Sequence, residues 1–125
     1  MELLKERIRR EGKVLPGNII KVDGFLNHRV DTKLLEALAD EFAKYFDISK
    51  ITMVLTAEAS GIALATICAQ KYGVPMLFAK KAKSRNIDGD VYTSTVHSFT
   101  YGKDILHIHK GHFQVDLGKF RLSVR

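Results

Sequence analysis

The sequence predicts an α/β fold built on a parallel sheet, and three features of residues 51–83 carry this prediction. Residues 51–56 form a short apolar run rich in β-branched side chains, which is typical of a buried strand. Residues 62–72 resemble a helix that Gly73 ends, and a second apolar run covers residues 74–79. Two strands joined by a crossover helix form a right-handed βαβ unit, and such units give parallel sheets covered by helices.

The turn between the first strand and the helix, residues 57–61, is a candidate anion site. The free N–H groups of a helix N-terminus favour an anion, and Ser60 adds a hydroxyl donor. Ligands of open α/β sheets bind outside the carboxyl ends of the strands, where three lysines follow the second strand: Lys80, Lys81 and Lys83. A phosphate or diphosphate site and an ordinary crossover turn with solvated lysines both fit this spacing.

Shorter elements are predicted ahead of this unit. Residues 2–11 predict a surface helix that Gly12 ends, and residues 14–17 predict a turn. Residues 19–22 predict a short strand that leads into a loop over residues 23–28.

A second helix is predicted over residues 32–46, with Asp31 as its N-cap. Apolar residues recur along it with a period near 3.6, as expected for a helix that faces the core. The side chains expected in the core are Leu34, Leu35, Leu38, Phe42 and Phe46.

Composition narrows the class of protein. The 125 residues, 46% hydrophobic and 27% charged, indicate one globular domain. No stretch is long enough to span a membrane, the first residues lack the apolar core of a signal peptide, and Cys68 is the single cysteine, so we expect a cytoplasmic protein. We expect Cys68 to be a small buried apolar residue rather than a nucleophile.

The net charge of +6 favours an anionic partner. The basic residues are scattered and no nucleic-acid-binding motif accompanies them, so a phosphorylated metabolite is the expected partner and nucleic acid is not.

Several motifs in one order resemble those of a known family. They are KVDGFLNH at residues 21–28, TAEASGI at 56–62, GVP at 73–75, FAKKAK at 78–83 and VHSFT at 96–100. Together they resemble the bacterial xanthine phosphoribosyltransferases, type I enzymes of purine salvage, over residues 1–103. The resemblance implies a parallel-sheet phosphoribosyltransferase-type fold and a homodimer. It also implies transfer of 5-phosphoribosyl from phosphoribosyl diphosphate (PRPP) to N9 of xanthine, giving xanthosine 5′-monophosphate (XMP) and diphosphate, with Mg²⁺ bound to PRPP.

The same resemblance implies roles for particular residues. Residues 14–30 would form a hood over the base, with Ile20 packing on the purine and the Asn27 amide hydrogen-bonding its polar edge. A carboxamide offers both a donor and an acceptor to a dioxopurine. Without the resemblance, a core isoleucine and a turn asparagine would be expected instead. The residues implied for diphosphate and PRPP binding are Ala59, Ser60, Gly61 and Lys81.

The resemblance ends near Asp104, and residues 104–125 form a basic, β-like tail. The acidic pair and small-residue loop that bind PRPP in the family have no counterpart in this tail, so the catalytic residues are not identified. We therefore expect a family member that is truncated or frame-shifted in its C-terminal half and inactive by itself. The alternative is a catalytically incompetent remnant, or a non-enzymatic protein that binds diphosphate or a nucleotide.

Two further segments have open interpretations. Residues 84–100 resemble the family's mobile loop, and an exposed hairpin fits them equally well. His107, His109 and His112 suggest a metal site, but no carboxylate or cysteine at suitable spacing completes the set, so we expect no protein-ligated metal.

Overall fold

The computed structural model describes residues 1–17, 19–81, 90–98 and 102–109. The chain divides into two compact units, Met1–Phe78 and Ala79–Arg125. No helix in the described ranges has the length and apolar character needed to cross a membrane. The helices and strands, in chain order, are α1 (Glu2–Glu11), β1 (Lys13–Leu15), β2 (Ile19–Lys21), α2 (Thr32–Ala43), β3 (Val54–Ala57), α3 (Gly61–Tyr72), β4 (Met76–Ala79), β5 (Val91–Ser98) and β6 (Gly102–His109).

An antiparallel hairpin, β1 and β2, opens the part of the chain expected to form the hood. Val14 lies opposite Ile20, and Leu15 lies opposite Ile19. The turn predicted over residues 14–17 was therefore too long, because Val14 and Leu15 continue the strand. Gly17 has a φ of 84°, a left-handed conformation that glycine adopts at little cost.

The predicted loop over residues 23–28 is instead a π-helical turn, Asp23–Asn27. The N–H of Arg29 donates to the carbonyl of Asp23 at 2.9 Å, and that of Leu26 donates to Val22 at 3.0 Å. Phe25, at the middle of this turn, is 1% exposed. The sequence did not reveal this helical turn, because the two adjacent apolar residues Phe25 and Leu26 are too few to show a helical period.

Asp31 caps α2 as predicted, since its Oδ1 accepts a hydrogen bond from the Leu34 N–H at 3.1 Å. The helix ends at Ala43 rather than Phe46. The prediction that Phe42 and Phe46 lie in the core is wrong, because they are 37% and 63% exposed. The earlier residues of the stripe, Leu34, Leu35 and Leu38, are buried as predicted.

The βαβ unit is confirmed, with β3 and β4 paired in a parallel sheet and α3 between them. Both strands are shorter than predicted: β3 is Val54–Ala57 and β4 is Met76–Ala79. Gly73 ends α3 with a φ of 69°, the expected left-handed conformation. The fold is therefore the predicted α/β fold.

Helix α3 packs against α2, and its buried side chains are the small residues Ala65, Cys68 and Ala69. The Tyr72 hydroxyl donates a hydrogen bond to the Ala39 carbonyl of α2 at 2.7 Å. Desolvation raises the pKa of Tyr72 to about 12. Cys68 is buried as predicted, and burial raises the pKa of its thiol, so it lacks the lowered pKa of a reactive cysteine.

One apolar core organises the first unit. Its buried members are Phe25, Leu34, Leu35 and Leu38. Partly buried side chains pack against them from α1, from the π-helical turn and its flanks, and from α3: Met1, Leu4, Ile8, Val22, Leu26, Val30, Ala63, Leu64 and Ile67.

The second unit contains the antiparallel hairpin of β5 and β6, in which Val91 lies opposite His109 and Ser98 lies opposite Gly102. Its backbone also bonds to Lys80, whose N–H donates to the His107 carbonyl at 2.9 Å. Strand β6 crosses the predicted boundary between residues 103 and 104. A hairpin, one of the two open interpretations, is what residues 91–98 and 102–109 form. Residues 84–89 and 99–100 of the expected mobile loop lie outside the described residues.

Candidate functional site

Ile20 lies on an exposed apolar face of the first hairpin. Its side chain is 52% exposed, and that of Val14, directly opposite on β1, is 78% exposed. Directly opposed residues of an antiparallel pair project from the same face. The expectation of a core isoleucine therefore does not describe Ile20, and the hairpin presents two aliphatic side chains to solvent.

Asn27 is the last residue of the π-helical turn, and it is exposed. The turn is anchored to the core by Phe25, whose carbonyl accepts a hydrogen bond from the Asp31 N–H at 2.9 Å. The Asn27 carboxamide thus projects from a turn whose backbone is held on its inner side.

Arg7 of α1 adds a contact to this turn that the sequence did not predict. Its guanidinium lies 5.5 Å from the centre of the Phe25 ring, a cation–π geometry. Its Nη2 donates to Asp31 Oδ2 at 2.9 Å, and its Nε lies 3.0 Å from Glu11 Oε2 without making a hydrogen bond there. Arg7 and Asp31 are 24 residues apart, and no local pattern signals such a contact.

The turn predicted to bind diphosphate forms the N-terminus of α3. Ser60 is the N-cap residue, and its side chain makes no capping hydrogen bond. Ala59 and Ser60 are exposed, the Ile62 N–H donates to the Ala59 carbonyl at 3.2 Å, and the Glu58–Ala59 peptide is cis. Gly61 begins the helix in contact with Thr56 of β3, whose hydroxyl oxygen stands where a side chain at residue 61 would begin.

Lys81 belongs to the second unit, and the three turn residues belong to the first. Lys81 follows Lys80, the residue that pairs with His107. The convergence of Lys81 with Ala59, Ser60 and Gly61 stays a prediction, and Lys83 lies outside the described residues.

In the part of the chain that the structure describes, no three His, Cys, Asp or Glu side chains are grouped so that they could hold one metal ion. His107 lies on β6, while His112 is outside the described residues. The described side chains therefore include no cluster of this kind for the Mg²⁺ ion that the resemblance implies.

Solved structures define the class of fold. APRTase from Giardia lamblia, complexed with 9-deazaadenine, matches with a TM-score of 0.67 and 21% identity over 87% of this chain and 61% of that chain. Adenine phosphoribosyltransferase from Saccharomyces cerevisiae matches with a TM-score of 0.63 and 20% identity over 90% of this chain and 66% of its own. The fold is that of a phosphoribosyltransferase.

Sequence comparison narrows the family, although no family model matches the chain. Xanthine phosphoribosyltransferase 1 of Clostridium perfringens is 56% identical over 105 residues, which are 83% of this chain and 55% of that protein. Xanthine phosphoribosyltransferase of Lachnoclostridium phytofermentans is 52% identical over 103 residues, which are 82% of this chain and 53% of that protein. The chain belongs to this family over the matched residues, and it spans about half the length of these relatives.

Proposed function

We propose that this chain carries the base-binding and diphosphate-binding parts of a xanthine phosphoribosyltransferase of purine salvage. The reaction would transfer 5-phosphoribosyl from PRPP to N9 of xanthine, giving XMP and diphosphate. The observation that carries the proposal is identity of 50% or more to eight proteins bearing that name, over at least 80% of this chain.

The arrangement of the first unit supports this proposal. The segment expected to bind the base is anchored to the core by Val22, Phe25 and Leu26. Helix α3 follows the turn of residues 58–60, called the diphosphate turn below, and is anchored to the same core by Ala63, Leu64 and Ile67. Both sets pack on one core, so the π-helical turn that carries Asn27 and the helix that follows residues 59–60 belong to one packed unit. Such rigid support favours transfer between two bound groups, because it removes orientational freedom before the reaction.

In this proposal, Ile20 and Asn27 hold the base. The aliphatic face of the β1–β2 hairpin covers one face of the purine, which removes apolar surface from water. The Asn27 carboxamide donates to one polar group at the edge of xanthine and accepts from another, which fixes the orientation of the ring.

The diphosphate turn acts on the leaving group. As the bond between C1 of the ribose and the diphosphate oxygen breaks, negative charge grows on the diphosphate. The N–H groups at the start of α3, with the Ser60 hydroxyl and the Lys81 ammonium, would stabilise that charge. Mg²⁺ would accompany PRPP, as the resemblance to the family implies. A homodimer and a cytoplasmic location remain parts of the proposal.

Calorimetric titration of the 125-residue chain tests the proposal, because both proposed binding elements lie within it. We expect xanthine to bind more tightly than hypoxanthine, and Asn27→Ala to abolish that preference. We also expect diphosphate to bind at low salt, and Lys81→Ala to weaken it while Lys50→Ala, at an exposed lysine paired with Asp47, does not. Tighter binding of hypoxanthine would refute xanthine as the preferred base. Equal diphosphate affinities for wild type and Lys81→Ala would refute the role of Lys81.

A further inference from the structure

Where the diphosphate turn meets α3, Thr56 of β3 contacts Gly61, the first residue of the helix. A Cβ atom placed on Gly61 would overlap the Thr56 hydroxyl oxygen, whereas it would lie 3.5 Å from Thr56 Cβ and 3.9 Å from Thr56 Cγ2. The last two distances are ordinary van der Waals contacts. One oxygen atom of one side chain therefore occupies the space that a Cβ at residue 61 would need, so any residue other than glycine requires Thr56 or the backbone to shift.

This contact spans the base of the proposed diphosphate turn. Thr56 is part of β3 (Val54–Ala57), and Gly61 is the first residue of α3, so the turn residues 58–60 lie between them along the chain. The contact sets the distance of closest approach between the strand and the helix N-terminus. The backbone N–H groups that would face a diphosphate are thereby fixed relative to the edge of the sheet.

A second glycine of the same unit provides a contrast. A Cβ on Gly24 would have no atom within 4 Å, so close packing is not a general property of the glycines in this chain. Gly12 also lacks room for a Cβ, but the obstructing atom there is the backbone carbonyl oxygen of Ile8, whereas at Gly61 it belongs to a side chain.

We propose that Thr56 is a positioning residue for the diphosphate turn, because its hydroxyl limits how closely Gly61, and with it the N-terminus of α3, can approach β3. The inference rests on the proposed function, since it presumes that this turn binds diphosphate. Thr56 itself need not touch the diphosphate, and its effect passes through the backbone of residues 58–61. Affinity for diphosphate then depends on the fit between residues 56 and 61 rather than on the Thr56 side chain alone.

A double-mutant cycle on the full 125-residue chain tests this inference, with diphosphate affinity measured by calorimetry at low salt. Gly61→Ala should weaken binding about tenfold, within the range for residues in direct contact. Thr56→Ala, which removes the contact without creating an overlap, should weaken binding by roughly threefold. The double variant Thr56→Ala/Gly61→Ala should bind as well as Thr56→Ala, because the overlapping atom is gone.

Thr56→Val/Gly61→Ala is the matched control, because valine retains a heavy atom in place of the hydroxyl and should not restore binding. Urea unfolding of each variant, with Gly24→Ala for comparison, shows whether affinity follows stability.

Each outcome has a distinct meaning. Absence of diphosphate binding by the wild-type chain would overturn the diphosphate assignment and this inference together. If the wild-type chain binds diphosphate and Gly61→Ala binds it equally well, the positioning role alone is overturned. If Gly61→Ala does not fold, equal affinity in Thr56→Ala overturns it instead. A loss in Gly61→Ala that Thr56→Ala does not restore would also overturn it.

Discussion

Two sets of apolar side chains in the first unit, close in sequence, have opposite surroundings. Phe25 and Leu35 are 1% and 0% exposed, whereas Val14 and Ile20 are 78% and 52% exposed. All four are apolar, so hydropathy alone does not distinguish them. The buried pair is surrounded by α1, α2 and α3, whereas the exposed pair lies on a two-stranded hairpin in which every strand residue is exposed. The first set therefore stabilises the fold, and the second is available to a ligand.

The largest effect is expected in the buried set. Leu35→Ala should lower the free energy of unfolding by about 2–5 kcal/mol, because it removes buried methyl groups and leaves a cavity. Urea unfolding followed by circular dichroism measures this change. Leu15→Ala, on the exposed hairpin, is the matched control, and a similar loss in both variants would contradict the division between the two sets.

A smaller effect is expected at the N-cap of α2, which borders the buried set. Asp31→Ala should cost about 1–2 kcal/mol, because the Leu34 N–H and the Arg7 guanidinium both lose their acceptor. Asp31→Asn keeps an oxygen for the cap and loses only a half-exposed ion pair, so it should cost about 0–1 kcal/mol. Chemical denaturation of both variants compares them, and equal losses would show that the ion pair, not the cap, stabilises this end of the helix.

The sequence predicted those elements whose signals are local. The Asp31 cap and the Gly73 terminus depend on residues within one or two turns of each other, and each element of the βαβ unit has its own local pattern. All three predictions are confirmed. The limits of burial along α2 were not predictable in the same way. Periodicity indicates which face of a helix is apolar, but it does not indicate how far along that face a partner element extends.

The residues of the candidate site likewise divide into those that the sequence could indicate and those that depend on contacts between distant residues. The resemblance to a family placed Ile20, Asn27 and the turn at residues 59–61, and the structure adds that Ile20 and Asn27 are exposed. Arg7 and Thr56 could not be predicted, because each acts through a contact with a distant or sterically matched residue. Arg7 reaches Phe25 and Asp31 from another helix, and the fit between Thr56 and Gly61 depends on a particular backbone approach.

The exposed set should respond in affinity rather than in stability. Ile20→Ser should weaken xanthine binding about tenfold, because an aliphatic side chain no longer covers the base. Its free energy of unfolding should change by only about 0.5 kcal/mol, as for most surface substitutions. Calorimetric titration and urea unfolding give the two quantities for Ile20→Ser and for Val14→Ser, its cross-strand neighbour. A loss of stability without a loss of affinity would place Ile20 in the structural set instead.

The smallest effect is expected at Phe46, which the helical pattern assigned to the core and the structure leaves 63% exposed. It lies beyond the end of α2, where the Tyr45 N–H donates to the Phe42 carbonyl at 2.9 Å in a tighter, three-residue turn. Phe46→Ser should therefore change the free energy of unfolding by less than about 0.5 kcal/mol. Leu38→Ser, on the buried part of the same stripe, should cost several times more, because it removes apolar contacts and buries a hydroxyl. Unfolding should be measured at two protein concentrations. A large loss for Phe46→Ser that grows with concentration would mean that a second copy of the chain covers this aromatic side chain, and a large loss independent of concentration would mean that the core extends beyond Ala43.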